Sequence, residues 1–172
     1  MKRSFLLIFL LSSAISFGQI NRSKTKKSNE WRVGGTAAFN FGGNNYFGFS
    51  IAPFVGYRVS AYVEPGITAG YLYSKDDFIK QNLFHFGPYL NIYPIDNLFL
   101  RTQYEYYFGK LESETIDYSQ DISENALWVG GGYRSGGSVQ LFLGLMYNVF
   151  YDENSSFFSS ALRPIAGVSI RI

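Results

Sequence analysis

The sequence predicts an all-β protein, an eight-stranded antiparallel up-and-down transmembrane β-barrel. Eight stretches alternate apolar residues with small or polar ones, as strands do when their two faces meet different surroundings. All seven lysines and all six aspartates fall outside those stretches. Phe, Tyr and Gly are abundant, with 17, 14 and 18 copies, which favours strands. The predicted strands run from Trp31 to Phe41, Tyr46 to Val59, Tyr62 to Tyr73, Asn82 to Tyr93, Asn97 to Phe108, Ala126 to Arg134, Val139 to Tyr151 and Ala161 to Ile172.

The alternation is clear in the second, third, fifth and seventh stretches, and the seventh illustrates it. We expect Leu143, at mid-strand, to face lipid, where a lysine costs about 2 to 4 kcal/mol. Gly144 next to it is expected to tolerate serine. One face of this stretch has Leu141, Leu143, Leu145 and Tyr147, and the other has Gln140, Phe142, Gly144, Met146 and Asn148.

The less apolar face indicates which side of the barrel meets water. A secreted barrel of the lipocalin kind has the same period, but its apolar face points inward and its outer face meets water. Here the second face is mostly Gly, Ala, Ser, Thr and Tyr, with a few Arg and two Glu. Small residues and paired charges suit a narrow lumen that eight strands can fill with side chains. The apolar face therefore belongs in lipid, where only a closed barrel pairs the backbone groups of strands.

The amino-terminal segment is predicted to be a secretory signal peptide. Basic residues at positions 2 and 3 precede the apolar run Phe5 to Leu11, which is shorter than the roughly 20 residues that a membrane anchor needs. Serines follow that run, and cleavage is expected near the junction of Gly18 and Gln19. The predicted divisions are a signal peptide at 1–18, a short basic tail at 19–30 and the barrel domain at 31–172.

Composition excludes several classes of function. The chain has no cysteine, so it has no disulfide, no thiolate metal site and no lipoprotein anchor. Its formal net charge of +2 falls to about zero when the two basic residues of the signal peptide are removed, so no nucleic-acid partner is expected. The local basic cluster from Arg22 to Lys27 is interpreted as a solvated tail.

Connection lengths predict the orientation of the barrel, because bacterial barrels have short periplasmic turns and longer outer loops. With the amino terminus inside, three of the four outer connections are longer than any inner one. The longest is the acidic segment from Gly109 to Asn125, which is expected to be removable from Glu112 to Ser123 without loss of folding. The other predicted outer connections are Gly42 to Asn45, Ser74 to Gln81 and Asp152 to Ser160, and the inner ones are Ser60–Ala61, Pro94 to Asp96 and Ser135 to Ser138.

Charged residues on the inner face are predicted to form a structural network that closes the lumen, since buried charges must be paired. A narrow solute conduit along the same residues is the alternative. Arginine outnumbers glutamate, so some arginines are expected at the barrel ends or in contact with water. The predicted network consists of Arg32, Arg58, Glu64, Arg101, Glu105, Arg134, Arg163 and Arg171.

Catalytic, cofactor and metal sites are not expected. The sole histidine, His85, is predicted to point into the lumen in a structural role. A lipid-modifying enzyme is the alternative, and it would need His85 beside Ser74 or Ser160 with Glu105 as the acid. The acidic segment lacks the spacing of a calcium loop, and Gly130 to Gly132 precede no phosphate-binding helix.

Three segments of the chain resemble a known family. They are Ile51 to Arg58 (IAPFVGYR), Phe86 to Leu90 (FGPYL) and the terminal Gly167 to Ile172 (GVSIRI). The chain from Trp31 to Ile172 resembles the small eight-stranded outer-membrane β-barrel proteins of Gram-negative bacteria, of the OmpA/OmpX type. The family's last strand usually ends in an aromatic residue, whereas this chain ends in isoleucine.

The resemblance implies a cell outer-membrane location, reached by export through a cleaved signal peptide. The implied partners are outer-membrane lipid, the barrel assembly machinery through the carboxy-terminal strand, and an extracellular partner of the outer loops. A non-enzymatic role in surface interaction or envelope maintenance is expected. Aromatic residues at the borders of the apolar face are expected to form interface girdles; they include Trp31, Tyr57, Tyr73, Tyr106, Tyr133 and Tyr151.

Overall fold

The computed structural model describes residues 29–41, 47–113, 118–158 and 160–172, so the predicted signal peptide lies outside the described residues. Each strand pairs antiparallel with the next and the first pairs with the last, which closes the sheet into the predicted eight-stranded barrel. No helix among the described residues is long and apolar enough to span a membrane. The strands are β1 (Glu30–Phe41), β2 (Phe47–Arg58), β3 (Val63–Lys75), β4 (Ile79–Ile95), β5 (Leu98–Ser113), β6 (Tyr118–Arg134), β7 (Val139–Asn148) and β8 (Leu162–Arg171).

The barrel has two distinct ends. The terminal end carries Glu30, at the start of β1, and Arg171, at the end of β8. The turns at this end cover 59–62, 96–97 and 135–138. At the opposite end, called the loop end, the described connections cover 76–78 and 149–161, the latter without residue 159, whereas the predicted connection Gly42 to Asn45 and residues 114–117 lie outside the described residues.

Burial alternates along the strands, so each strand has an inward and an outward face. In β5, the inward residues Arg101, Gln103 and Glu105 are buried, while Leu100 and Tyr104 between or beside them are exposed. The same period in the other strands gives the barrel an apolar exterior. The outward positions carry no charged residue over the spans 31–39, 47–57, 63–73, 84–94, 98–108, 127–133, 139–147 and 162–170.

Several strands end at other residues than the alternation predicts. The predicted loop from Gly109 to Asn125 is wrong, because β5 and β6 continue as a paired hairpin up to Ser113 and Tyr118. This hairpin was missed because its residues near the tip have polar neighbours on both faces, so the sequence shows no period there. Similarly, β4 begins at Ile79 and ends at Ile95, beyond both predicted ends.

The connection 149–161 is the longest between described strands. The predicted strand from Val139 to Tyr151 ends earlier, at Asn148, so this connection is longer than its predicted span. The connection 76–78 is shorter than the terminal-end turns 59–62 and 135–138. The predicted length difference between the two ends therefore depends mainly on 149–161.

Candidate functional site

A network of charged and polar side chains occupies the lumen near the terminal end. The Glu30 carboxylate lies 2.9 Å from Nη2 of Arg32, 3.8 Å from Nη1 of Arg58 and 3.4 Å from Nη1 of Arg171. Arg32 also donates a 2.7 Å hydrogen bond to Oε1 of Gln140. One carboxylate at the barrel end thus lies within 4 Å of three arginines, and Glu30 belongs to β1 rather than to the predicted tail.

Glu64 is the second anion of this network, and it is fully inside the lumen with 2% of its surface exposed. Its carboxylate accepts hydrogen bonds from the hydroxyl of Tyr93 at 2.8 Å and from Nδ2 of Asn91 at 3.1 Å, and Nε of Arg32 lies 3.6 Å away. Arg134 stacks on the Tyr93 ring, with its guanidinium carbon 3.8 Å from the ring centre. Buried arginines without a carboxylate are thereby stabilised by aromatic faces and by polar groups.

An aromatic layer lies above this network and surrounds Arg101. The guanidinium carbon of Arg101 lies 4.7 Å from the ring centre of Tyr89, and the rings of Phe54, Phe99 and Phe142 are 5.4 to 5.8 Å away. Nε of Arg101 donates a 2.7 Å hydrogen bond to Asn91.

The aromatic layer and the network below it leave little free space. The cavity between them holds about 20 Å³, room for roughly one water molecule. We call this packed half of the lumen the plug; its members are Arg32, Phe54, Arg58, Glu64, Tyr89, Asn91, Tyr93, Phe99, Arg101, Arg134, Gln140 and Phe142.

The half of the lumen toward the loop end is open, which differs from the predicted side-chain-filled lumen. It contains a cavity of about 540 Å³, within the range of roughly 300 to 1,000 Å³ that is usual for small-molecule sites. Arg101 lies at its floor, shared with the plug, and small residues such as Ala38, Ser50 and Ala52 line one wall. The space exists because these strands present short side chains where the opposite wall presents long ones.

Glu105 organises the polar wall of this cavity. Its carboxylate accepts hydrogen bonds from Nη1 of Arg163 at 2.9 Å, the hydroxyl of Tyr107 at 2.6 Å and Nε2 of Gln103 at 2.8 Å. Arg163 also stacks on Trp128, with its guanidinium carbon 4.0 Å from the ring. The Glu105 charge is therefore fully compensated within the wall. Oε1 of Gln103 is buried without a donor among the described residues, so it is suited to a water or a ligand.

His85 lies on the same wall, buried in the lumen with 4% of its surface exposed. Nδ1 lies 2.8 Å from Oε1 of Glu105, in a close contact that lacks hydrogen-bond geometry. The ring stacks on Tyr107 with centres 4.8 Å apart. Nε2 faces Gly70, where a β-carbon would collide with it.

The serines of the alternative catalytic set do not contact His85. The hydroxyl of Ser74 donates to Oε1 of Gln81 at 3.2 Å, and the hydroxyl oxygen of Ser160 accepts a 3.1 Å hydrogen bond from the Leu162 N–H. Both nitrogens of His85 face other groups, namely Glu105 and Gly70. Within the described part of the chain, the structure brings together the predicted acid and base without a nucleophile.

The connection 149–161 folds over the cavity and acts as its lid. Phe158 meets Trp128 and Tyr107 edge to face at 5.3 and 5.0 Å, and Phe157 packs against Phe158. Glu124 of β6 holds the lid by accepting hydrogen bonds from the hydroxyl of Ser156 at 2.6 Å and from the Phe157 N–H at 2.9 Å.

A turn at the start of the lid is fixed by Asp152. Its carboxylate accepts a 3.0 Å hydrogen bond from the backbone N–H of Asn154, and this bond lowers the pKa of Asp152. Sequence reasoning missed Glu124, Phe157 and Phe158, because a lid is visible only when the loop and the cavity are placed together.

The eight predicted network residues lie in different surroundings. Arg32, Arg58, Glu64, Arg101 and Arg134 are in the plug, Glu105 and Arg163 are in the cavity wall, and Arg171 is exposed at the terminal end. The partners Tyr93, Asn91 and Gln140 were missed, since uncharged lumen residues carry no distinct sequence signal. Among the described residues, no group of three or more His, Asp or Glu side chains is arranged to hold a metal.

The fold and the lumen define a class: closed, antiparallel eight-stranded barrels with an apolar exterior and a polar interior. Within this class, the chain is similar in fold to the amino-terminal β-barrel domain of Pseudomonas aeruginosa OprF, with 14% identity, a TM-score of 0.49 and coverage of 84% of this chain and 98% of that one.

Two further solved structures share the fold. A de novo designed transmembrane β-barrel has 14% identity and a TM-score of 0.43, and the match covers 87% of this chain and 100% of that one. Ail, the attachment invasion locus protein of Yersinia pestis, has 11% identity and a TM-score of 0.42, and the match covers 83% of this chain and 97% of that one. No family model and no curated protein matches the sequence.

Proposed function

We propose that this protein is an integral outer-membrane β-barrel without enzymatic activity, whose lumen is closed to solutes. The observation that carries the proposal is the exterior, where the outward residues of all eight strands are uncharged over the spans given above; we call this surface the apolar belt. Leu141, Leu143 and Ile67 are 62 to 66% exposed. In water this belt would be far larger than the apolar patches of roughly 300 to 600 Å² found on monomeric proteins. In lipid it is the expected outer surface of a barrel.

Aromatic residues at the borders of the belt support a position across a bilayer. Trp31 and Tyr57 pack together at the terminal end with ring centres 5.0 Å apart, and Tyr133 accepts a hydrogen bond from Nδ2 of Asn97 there. Amphipathic rings at such borders suit the headgroup region. We assign the terminal end to the periplasm and the loop end to the outside, which leaves the lid and the β5–β6 hairpin for surface interaction.

The plug supports a closed lumen rather than a conduit. Its arginines, carboxylates and aromatic rings are bonded to each other, and the remaining space is about 20 Å³. The absence of a serine contact to His85 within the described residues favours a structural role for this histidine.

The experiment is reconstitution of the purified mature chain into phosphatidylcholine vesicles. We expect it to insert, to migrate as a compact heat-modifiable band, and to give no ion current in planar bilayers. The mature chain isolated from the outer-membrane fraction is expected to begin near Gln19 by mass spectrometry. Partitioning into the aqueous phase would refute the membrane assignment, and steady single-channel currents would refute the closed lumen.

A further inference from the structure

The barrel wall is incompletely paired between β1 and β8. Backbone pairing runs from Arg32 and Arg171 to Thr36 and Gly167, and the structure shows none between residues 37–41 and 162–166. Both segments remain paired on their other sides, with β2 and with β7. We call this gap the seam; it lies toward the loop end.

The loop-end cavity reaches the seam. Its lining includes Ala38 and Ile165, which point into the lumen, and also Leu162, Pro164 and Ala166, which are exposed on the outer face of β8. Residues from both edges of the seam thus line the cavity, so the seam would give the cavity access to the outer surface of the barrel.

Unpaired backbone groups along the seam need polar partners, because each costs several kcal/mol in pure hydrocarbon. Pro164 removes one of these groups, since it has no N–H. The seam runs from the middle of the wall to its loop-end border, so the groups nearest that border are placed where lipid headgroups and water would reach them. The seam is thus suited to a molecule that sits at the membrane surface.

The cavity combines this access with one uncompensated positive charge. Arg101 is 4% exposed, and among the described residues it makes one hydrogen bond, to Asn91, and no ion pair. The nearby carboxylates are engaged elsewhere, Glu105 by Arg163 and Glu64 by Tyr93 and Arg32. Aromatic rings surround the guanidinium, but the cavity floor still carries a net positive charge that a single anion would balance.

Besides the polar wall around Glu105, the cavity above Arg101 has an apolar part, formed by Leu72, Ile165, Phe157 and Phe158. A ligand that lies along this part has an apolar body, and its end at Arg101 is negatively charged.

We propose that this cavity binds a single-chain amphiphile with one negative charge, of the long-chain carboxylate class, which reaches it from the membrane through the seam. The carboxylate pairs with Arg101, and the chain lies along the apolar walls toward the seam. This proposal rests on the proposed membrane position of the barrel.

Palmitate brominated in its chain is the probe, because bromine quenches tryptophan fluorescence on contact. The chain has two tryptophans; Trp31 is 53% exposed on the outer face, and Trp128 is 1% exposed and lines the cavity. In a Trp31→Phe background, in phosphatidylcholine nanodiscs, Trp128 alone reports. We expect saturable quenching that unlabelled palmitate reverses, whereas methyl palmitate and acetate do not.

Charge recognition is tested by Arg101→Gln with Arg134→Gln as its matched control. Both arginines are buried, but only Arg101 lines the cavity. We expect Arg101→Gln to weaken binding by roughly tenfold or more and Arg134→Gln to leave it unchanged. Equal competition by palmitate and its methyl ester in the unchanged protein would overturn the role of Arg101 even if the variant fails to fold.

Access through the seam is tested by Ala166→Phe, with Ala69→Phe as the control. Both alanines are exposed on the outer wall, and only Ala166 borders the cavity. In stopped-flow mixing with probe-loaded vesicles, we expect Ala166→Phe to slow association several-fold and Ala69→Phe to have no effect. Equal rates would overturn access through the seam.

The two proposals fail in distinguishable ways. Insertion without saturable quenching would refute the site alone, and competition by acetate as strong as by palmitate would replace the amphiphile by a small anion. Failure to insert would refute the membrane position, whatever the fluorescence shows.

Discussion

Single residues in this barrel are strongly constrained where a charge is buried. Glu105 receives three hydrogen bonds and lies next to His85, so it compensates Arg163 inside the wall. A buried pair of this kind contributes little beyond its desolvation cost, but removal of one member leaves the other uncompensated. The cost of a substitution therefore depends on what remains behind.

Glu105→Gln is expected to destabilise the folded barrel by about 3 to 5 kcal/mol, because Arg163 loses its buried counterion. Glu112→Gln is the matched control, since Glu112 pairs with Lys80 at 3.4 Å on the surface and both side chains are at least one third exposed. A change within about 1 kcal/mol is expected there. Urea titrations in lipid vesicles measure both, and equal effects would contradict the assignment of Glu105 as the organising anion.

Leu143 and Gly144 test the two faces of one strand. Leu143→Lys is expected to destabilise by about 2 to 4 kcal/mol, because Leu143 is exposed at mid-strand in the apolar belt. Leu98→Lys, at the border of the belt, should cost about 1 kcal/mol or less. Equal costs at both positions in folding titrations would contradict the lipid-facing belt.

The sequence predicts that Gly144 tolerates a small polar residue such as serine far better than Leu143 tolerates lysine, but the structure leaves little room for it. A β-carbon at Gly144 would collide with the backbone carbonyl of Gly131 on the neighbouring strand, and backbone cannot move aside as a side chain can. Gly144→Ser is therefore expected to destabilise by about 1 to 3 kcal/mol in the same titrations. Close approach of β6 and β7 is a tertiary property, so a small lumen residue in the sequence does not indicate spare room.

At the scale of the strands, the sequence predicted the features that follow from one apolar outer face and one lumen face on each strand. Alternation identified all eight strands because each has one apolar and one non-apolar face over the belt. It missed the ends of β5 and β6, where Lys110 and Asp121 pair in a hairpin with polar residues on both sides. The lumen charges could be predicted because they alternate with apolar residues along each strand. The seam could not, because the sequence of one strand does not show how far it pairs with another. The signal available in the sequence was Pro164, which has no N–H to donate to a neighbouring strand.

The β5–β6 hairpin changes how its loop must be shortened. Direct deletion of Glu112 to Ser123 would join Leu111 to Glu124, whereas Leu111 pairs with Gln120. The deletion would therefore break the register and pull Glu124 away from the lid. Replacement of residues 111–120 by Asn-Gly instead closes the pair Lys110 and Asp121 with a two-residue turn.

This register-matched replacement is expected to keep the heat-modifiable band and the unfolding midpoint within experimental error. The direct deletion should lower the midpoint, because pairs next to the new junction are lost. If both variants have the same unfolding midpoint, the hairpin pairing beyond the belt contributes nothing measurable to the stability of the barrel.

At the scale of the whole molecule, the lumen is divided into a sealed half and an open half. The plug occupies the terminal end, and the cavity with its lid occupies the loop end. The plug therefore leaves no continuous path from the cavity to the terminal end, whichever way a ligand enters. The same eight strands thus combine a packed half of the lumen with an open one.

The final prediction distinguishes whether the lid or the plug closes the lumen. Replacement of residues 150–160 by a short Gly-Ser segment removes Phe157 and Phe158 from the cavity and opens it to water. We expect this variant to remain non-conducting in planar bilayers, because the aromatic layer around Arg101 is unchanged. Replacement of Phe54, Phe99 and Phe142 by alanine, checked for folding by its heat-modifiable band, should allow current, since these rings fill the lumen at that level. Conductance in the lidless variant alone would mean that the lid, and not the plug, closes the barrel.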